Sequence, residues 1–194
     1  MNLPNKLSLT RILLVPVMMF LYMASFIPQG YGKLAALVIF IIASITDLLD
    51  GKIARKYNLI TDLGKFLDSI ADKILTFATL FLLMTDFTIP HPYGVIFATV
   101  VLFRDFAVLG IKSLVAEQSG AVGAEWIGKV KFFVSTIAYP FGILVAALVA
   151  FGVTGWVLLT LQIVFYVLIG ATAILTIWSG IDYMIKYKSV FKTK

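Results

Sequence analysis

Long apolar segments recur along the whole chain, and they constrain the fold more than any other feature of the sequence. Each is about as long as the ~20 residues that a helix needs to cross a bilayer. The chain is 61% hydrophobic and 13% charged, whereas soluble domains carry about 25% charged residues. We therefore predict one all-α membrane domain over residues 1–194, with no separate soluble domain.

The apolar segments predict a bundle of six transmembrane helices. Turn-forming residues such as Pro28 and Pro90 mark the connections between them. The predicted spans cover about residues 9–26, 31–57, 63–84, 93–116, 127–151 and 155–187. Lys6 and Arg11 precede the first span as in a signal peptide, but a small-residue cleavage site is missing and more spans follow. We interpret this segment as an uncleaved first helix.

Basic residues lie almost entirely on one side of the predicted spans. Of the 16 Lys and Arg residues, only Lys33 falls on the other side. The positive-inside rule then places both termini in the cytoplasm of a protein of the cell (inner) membrane. The same rule, with attraction to anionic headgroups, explains the net charge of +6. Membrane lipids are therefore the expected surroundings, and nucleic acid is not an expected partner.

Four aspartates follow a helical spacing across the second and third predicted spans. Asp47 and Asp50 are three residues apart, and Asp68 and Asp72 are four apart, so each pair shares one helix face. A short connection joins the two helices, which predicts that they pack as antiparallel neighbours and bring the four carboxylates together. The bases nearest in sequence are too few to balance them. An ionised side chain costs about 2.5–3.5 kcal/mol at mid-membrane depth, so compensation is needed.

Divalent metal ions would supply that compensation. Ligands that offer only oxygen favour Mg²⁺, Mn²⁺ or Ca²⁺ over Zn²⁺, and the chain has no cysteine. Four carboxylates suit a pair of ions about 3.5–4 Å apart, an arrangement that serves phosphoryl transfer. Gly51, Ala54 and Gly64 leave room for a nucleotide beside the helices, and Arg55 offers a planar donor for phosphate. Each small residue could equally be a packing contact.

The order of these residues resembles a family signature. The pattern D-x2-D-G-x2-A-R-x8-G-x3-D-x3-D runs from Asp47 to Asp72 without departure, and it is similar to the signature of the CDP-alcohol phosphotransferases. The resemblance implies a six-helix membrane enzyme, usually a homodimer. Such an enzyme passes a substituted phosphate from a CDP-linked donor to an alcohol and releases CMP, with its active site facing the cytoplasm.

The resemblance also implies roles for individual residues. Two divalent cations, Mg²⁺ or Mn²⁺, would be held by Asp47, Asp50, Asp68 and Asp72. Asp72 would in addition be the catalytic general base. The implied residues for binding the CDP-linked donor are Gly51, Ala54, Arg55, Thr61 and Gly64.

Further segments resemble one branch of this family, in which CDP-diacylglycerol is the donor and sn-glycerol 3-phosphate the acceptor. These are NLPNKLSLTRI, GKFLDSIADKIL, FRDF, WIGKVK and LTIWSGIDY, at residues 2–12, 64–75, 103–106, 126–131 and 175–183. Glycerol 3-phosphate is a dianion that needs fixed positive charge. The candidate residues for binding it are Arg104, Lys129, Lys131, Thr10 and Arg11.

Each of these bases also has a simpler interpretation. Arg104 could form a local salt bridge with Asp105 or Asp72, and the two lysines could extend to lipid phosphates. Thr10 and Arg11 could cap and anchor the first helix, with Asn5 as its N-cap.

Alternative functions remain at this point. Charge alone does not separate glycerol phosphate from inositol phosphate, and serine or phosphatidylglycerol are other acceptors that the family signature allows. A cation transporter is a different class in which four acids would form a translocation site.

Overall fold

Six α-helices make up the part of the chain that the computed structural model describes, residues 3–57, 61–86, 88–119 and 126–188. They are α1 (Leu3–Met23), α2 (Gln29–Lys56), α3 (Asp62–Thr85), α4 (Tyr93–Ser119), α5 (Trp126–Ala150) and α6 (Trp156–Lys186). All six predicted helices are confirmed, and most ends agree within a few residues. The exception is α1, which begins at Leu3 rather than near residue 9.

The early start of α1 changes the role of its polar residues. Pro4 is tolerated in a first helical turn, where its missing N–H group needs no partner. Asn5 is therefore inside the helix and is 4% exposed. The prediction that Asn5 caps the first helix is wrong, because its side chain contacts Thr61 at the start of α3 instead.

Five of the six helices in the described residues are long and apolar enough to cross a membrane. The helix that falls short is α3, whose first turns carry Asp68, Asp72 and Lys73 before the apolar stretch that follows. The protein is therefore a multi-pass helical membrane protein. The prediction of six spanning helices therefore depends on α3, and for this helix it stays a prediction.

The packing of the helices differs from the expected arrangement in one respect. We predicted that the second and third helices pack directly against each other, but α2 and α3 touch only slightly. Instead, α1 packs extensively against both of them. On the other side of the bundle, α5 packs against α2 and α6, and α4 packs against α6. The acidic faces of α2 and α3 are thus bridged by a helix that carries a buried base.

Close packing at the centre of the bundle depends on Gly142 in α5. A Cβ atom added there would lie 2.6 Å from the ring of Phe165 in α6 and 2.9 Å from Leu83 in α3. Both neighbours are fully buried. Small residues let membrane helices approach closely in this way, so Gly142 fixes the spacing of three helices around the core.

A buried ion pair closes the opposite end of the bundle from the aspartate motif. The Nζ atom of Lys33 lies 2.8 Å from a carboxylate oxygen of Asp86, and the hydroxyl of Tyr22 donates to the same carboxylate at 2.6 Å. Lys33 is 5% exposed. Lys33, which lies on the opposite side of the predicted spans from the other basic residues, is therefore neutralised by Asp86 within the bundle.

Candidate active site

Three of the four predicted aspartates converge where the last turns of α2 meet the first turns of α3. One carboxylate oxygen from each of Asp47, Asp50 and Asp68 lies within 4.8 Å of the other two. Asp50 is buried, whereas the side chain of Asp68 is 51% exposed. The helical spacing within each pair places these carboxylates on one face, as predicted. The cluster is therefore buried at Asp50 and accessible at Asp68.

Arg11 of α1 lies at the centre of this cluster. Its guanidinium nitrogens are 2.6 Å from Asp47, 2.5 Å from Asp50 and 3.2 Å from Asp68, and the side chain is 1% exposed. Sequence reasoning assigned Arg11 to substrate phosphate or to helix anchoring, and it missed this contact with the acids. The structure shows that Arg11 balances part of their negative charge.

Two further polar residues of α1 attach this helix to the acidic motif. The hydroxyl of Ser8 lies 3.4 Å from Asp50, and the amide of Asn5 lies 3.4 Å from the hydroxyl of Thr61. Thr61 caps α3, because its side chain accepts a hydrogen bond from the backbone N–H of Gly64 at 3.0 Å. Ser8 was not predicted as a site residue, since nothing in its spacing relates it to Asp50.

Gly64 is required by this contact between α1 and α3. A Cβ atom added to Gly64 would lie 2.6 Å from Oδ1 of Asn5 and 3.0 Å from Oγ1 of Thr61. The first of these distances is too short for a real Cβ atom and the second is tight, so the glycine lets α1 approach the start of α3. Donor binding at Gly64 and Thr61 stays a prediction, and the structure assigns both residues a packing or capping role.

Asp72 lies outside the group of three acids that approach within 4.8 Å. It lines a cavity wall together with Asp47 and Arg11, and the positive charges of Lys73 and, from α5, Lys131 act on its carboxylate. Its predicted roles as metal ligand and general base stay predictions. Its placement one helical turn beyond Asp68 keeps it beside the cluster and facing α5.

The predicted donor-binding residues of α2 are described only in part. Gly51 is partly buried and directly follows Asp50. The side chains of Ala54 and Arg55 lie outside the described residues, although both residues belong to α2.

A second charged group forms where α4, α5 and α6 meet. Asp105 accepts from Arg104 at 2.8 Å and from Nζ of Lys131 at 3.0 and 3.2 Å. Nε of Arg104 also donates to the hydroxyl of Ser179 at 3.0 Å. The simpler interpretation of Arg104, a salt bridge with Asp105, is therefore observed. Asp105 is thus shared by two bases, Arg104 and Lys131.

Basic side chains line a pocket of about 280 Å³ beside this group. Arg104, Lys112 and Lys129 contribute the charges, and the rest of the wall includes Gly128, Tyr183 and the apolar side chains of Val108 and Phe132. The ring of Tyr183 lies 6.0 Å from Arg104 and 5.7 Å from Lys112, within the range of a cation–π contact. Lys112 was not among the predicted site residues, because its position inside an apolar run gave no motif to place it.

Two predicted acceptor residues lie elsewhere. Thr10 is exposed, and its hydroxyl donates to the carbonyl of Lys6 at 2.9 Å. Lys131 is buried against Asp105, between the basic pocket and Asp72. Their predicted roles in binding glycerol phosphate stay predictions.

The acidic cluster suits a divalent cation. Its donors are carboxylate oxygens, the ligand type that Mg²⁺ and Mn²⁺ prefer, and three of them already lie within 4.8 Å of one another. The guanidinium of Arg11 among them shows that the cluster accommodates a positive charge. The residues present therefore fit the predicted cofactor.

A bundle of apolar helices with a carboxylate cluster and a neighbouring basic pocket defines a membrane enzyme that acts on phosphate-bearing substrates. The comparison with known families is consistent with that class. The model of the CDP-alcohol phosphatidyltransferase family matches residues 1–178. The chain belongs to this family.

Similar proteins from several bacteria share one name, CDP-diacylglycerol–glycerol-3-phosphate 3-phosphatidyltransferase. The protein of that name from Bacillus subtilis is 41% identical over 148 residues, which cover 71% of this chain and 74% of the relative. A Rickettsia typhi protein is 35% identical and covers 98% of this chain and 99% of its own. One from Shigella flexneri is 30% identical, with 94% and 93% covered.

Proposed function

We propose that the protein transfers the phosphatidyl group of CDP-diacylglycerol to sn-glycerol 3-phosphate and releases CMP. The observation that carries this proposal is the position of the acidic cluster, formed by Asp47, Asp50 and Asp68, beside a basic pocket. The acidic cluster suits a cation-bound pyrophosphate, and the basic pocket suits the phosphate of an acceptor. The name shared by the relatives gives the same pair of substrates.

The cofactor in this proposal is a pair of divalent cations, Mg²⁺ or Mn²⁺. Asp47, Asp50, Asp68 and Asp72 would hold them, the first three being already close together. When bound, the cations would neutralise the pyrophosphate and the charge that develops on the departing CMP. Arg11 would then exchange its carboxylate partners for phosphate oxygens, which is the role that the sequence suggested for it.

The chemical step needs a base near the acceptor hydroxyl. Asp72 would accept the hydroxyl proton, and the resulting oxygen would form a bond with the lipid-bearing phosphorus. The bond from this phosphorus to the bridging oxygen breaks, and CMP leaves with that electron pair. Asp72 suits this role because it borders the acidic cluster on one side and interacts with Lys131 on the other.

The acceptor would bind in the basic pocket. Arg104 and Lys129 line it together with Lys112, and Asp105 orients Arg104. Lys131 would connect the basic pocket with the proposed general base, since it pairs with Asp105 and interacts with Asp72. The donor nucleotide would lie over Gly51, Ala54, Arg55, Thr61 and Gly64, as the family signature implies.

The proposal also includes the topology. With 24 residues, α3 is about 36 Å long, enough to cross the bilayer beside α1, against which it packs. Both termini would then lie in the cytoplasm, and the acidic cluster would face it at the inner leaflet. The pairing of Lys33 with Asp86 supports this orientation, because it removes the exception to the positive-inside rule. As in the family generally, we propose a homodimer in the cytoplasmic membrane.

A comparison of acceptors tests the proposed activity. The purified protein is given CDP-diacylglycerol, Mg²⁺ or Mn²⁺, and in turn labelled sn-glycerol 3-phosphate, inositol phosphate and serine. We expect labelled lipid with glycerol 3-phosphate alone. Lipid formed only with another acceptor would keep the reaction class but overturn the proposed acceptor. Cation uptake into vesicles with no CMP release would instead favour a transporter.

A further inference from the structure

A cavity of about 260 Å³ leads from the acidic cluster into the interior of the bundle between α2, α3 and α5. Asp47 and Asp72 line its polar end. On each helix, further lining residues lie one turn apart and progressively deeper in the bundle. They are Ser44 and Phe40 beyond Asp47 on α2, Thr76 beyond Asp72 on α3, and Ser135 followed by Tyr139 on α5. The cavity therefore begins at the proposed reaction centre and continues toward the middle of the membrane.

Tyr139 presents an unused hydroxyl to this cavity. The residue is 2% exposed, and its hydroxyl has no hydrogen-bond partner among the described residues. The neighbouring hydroxyls of Ser135 and Thr136 donate to the carbonyl of Phe132 at 2.9 and 2.8 Å. Buried hydroxyls in native proteins nearly always have a partner, because an unpaired one loses its hydration without compensation. The hydroxyl of Tyr139 thus points to a bound group that accepts a hydrogen bond.

The position of Tyr139 indicates which part of a substrate supplies that acceptor. Tyr139 lies eight residues beyond Lys131, or about 12 Å farther along α5 and deeper in the membrane. Apolar side chains of the cavity wall beyond Asp47 and Asp72 include Phe40, Ile41 and Leu75. Asp72 and Asp105 are close enough for their negative charges to act on the hydroxyl of Tyr139, and they would repel the phosphate of glycerol 3-phosphate. The lipid end of the donor fits, because its ester groups follow directly after the phosphate.

We propose that the hydroxyl of Tyr139 donates a hydrogen bond to an ester carbonyl of the diacylglycerol part of the donor. Tyr139 is then a specificity residue that favours ester-linked over ether-linked lipid donors, since an ether oxygen is a much poorer acceptor than a carbonyl. This inference rests on the proposed function, because it takes a CDP-linked diacylglycerol as the donor. It adds a binding contact on α5, a helix to which the family signature assigns no donor-binding residue.

The test compares Tyr139→Phe with the unmodified protein on two donors, CDP-diacylglycerol and CDP-dialkylglycerol with the same chain lengths. A neutral hydrogen bond corresponds to about a three- to tenfold change in affinity, so we expect the KM for the ester donor to rise by that factor. The kcat and the KM for glycerol 3-phosphate should stay within about twofold, as should all constants for the ether donor. Tyr93→Phe, at a 70% exposed position, is the matched control and should change nothing.

Several outcomes would overturn the inference. An equal loss with both donors would mean that the hydroxyl acts on Asp72 or on the protein rather than on the ester. An unchanged KM for the ester donor would remove the contact altogether. The Tm without substrate should not fall in Tyr139→Phe, because the hydroxyl has no protein partner to lose, and a clear fall would also count against the inference. If the unmodified protein uses a different acceptor, the same donor comparison is run with that acceptor. Failure of the proposed acceptor and failure of the contact between Tyr139 and the ester are then distinguishable.

Discussion

The guanidinium of Arg11 lies 2.5 Å from the carboxylate of Asp50, and it joins the first helix to the acidic motif of the second. The same guanidinium contacts Asp47 and Asp68. This relationship thus belongs to the extensive packing of α1 against α2, whereas α2 and α3 touch only slightly. It also makes Arg11 an internal counter-charge whose place a divalent cation would take.

Removal of this counter-charge should destabilise the protein unless divalent cations are present. In Arg11→Met, Asp47 and Asp50 lose a buried partner, a change that typically costs about 3–5 kcal/mol. We expect a clearly lower Tm in chelator and partial recovery of the Tm with Mg²⁺ or Mn²⁺. Lys6→Met, at an exposed position on the same helix, is the control. Equal Tm values for the two variants in chelator would contradict the role of Arg11 as counter-charge.

The same variant should bind Mn²⁺ more tightly than the unmodified protein, because the cation no longer competes with a guanidinium for the three carboxylates. Titration of the purified protein with Mn²⁺, followed by the paramagnetic signal of the free ion, measures this directly without any turnover. Weaker Mn²⁺ binding in Arg11→Met would show that Arg11 supports the cation rather than replacing it.

Asp72→Asn should abolish turnover, since an amide cannot accept the proton of the acceptor hydroxyl. General-base catalysis contributes about 10²–10⁴-fold, and we expect kcat to fall by at least that factor. Asp47→Asn should in addition weaken cation-dependent binding of the CDP donor, measured with labelled donor in the absence of acceptor. Full activity of Asp72→Asn would rule out Asp72 as the base.

The contact between Asn5 and Gly64 predicts a non-additive pair of substitutions. Gly64→Ala places a Cβ atom 2.6 Å from Oδ1 of Asn5 and should lower the Tm markedly. Asn5→Ala removes that oxygen, so Asn5→Ala/Gly64→Ala should be more stable than the sum of the two single changes implies. Strict additivity of the changes in the free energy of unfolding would show that the two residues do not constrain each other.

Lys112→Ala should raise the KM for glycerol 3-phosphate about tenfold, in line with the loss of a charge-assisted hydrogen bond. The KM for CDP-diacylglycerol should change little, because Lys112 lines the basic pocket and not the cavity beside Asp47 and Asp72. Lys188→Ala, at an exposed position after α6, is the control. An equal rise in both KM values would show that Lys112 acts on the fold rather than on the acceptor.

The number and order of the helices could be predicted from the sequence, because long apolar runs separated by Pro, Gly and charged residues have few other interpretations. The start of α1 was missed because its first turns are polar and resembled a loop before a span. Their polarity has a structural reason, since Asn5, Ser8 and Arg11 face the acidic motif rather than lipid. Local hydropathy contains no information about that contact.

The carboxylates could be placed together from their spacing, whereas the residues that support them could not. The pairings of Arg11 with Asp50 and of Lys33 with Asp86 join residues 39 and 53 positions apart in sequence, and no periodicity relates them. Tyr139 was missed for a different reason. An aromatic residue within an apolar run is normally part of the core, and only the structure shows that its hydroxyl lacks a partner and borders a cavity.

The stoichiometry of the reaction tests the proposed transfer of the phosphatidyl group most directly. The purified protein is incubated in lipid vesicles with CDP-diacylglycerol, labelled sn-glycerol 3-phosphate and Mg²⁺, and both CMP and labelled lipid are quantified. We predict that the two products form in equal amounts and that chelation of the cation stops both. CMP release without labelled lipid, or unchanged activity in chelator, would contradict the account.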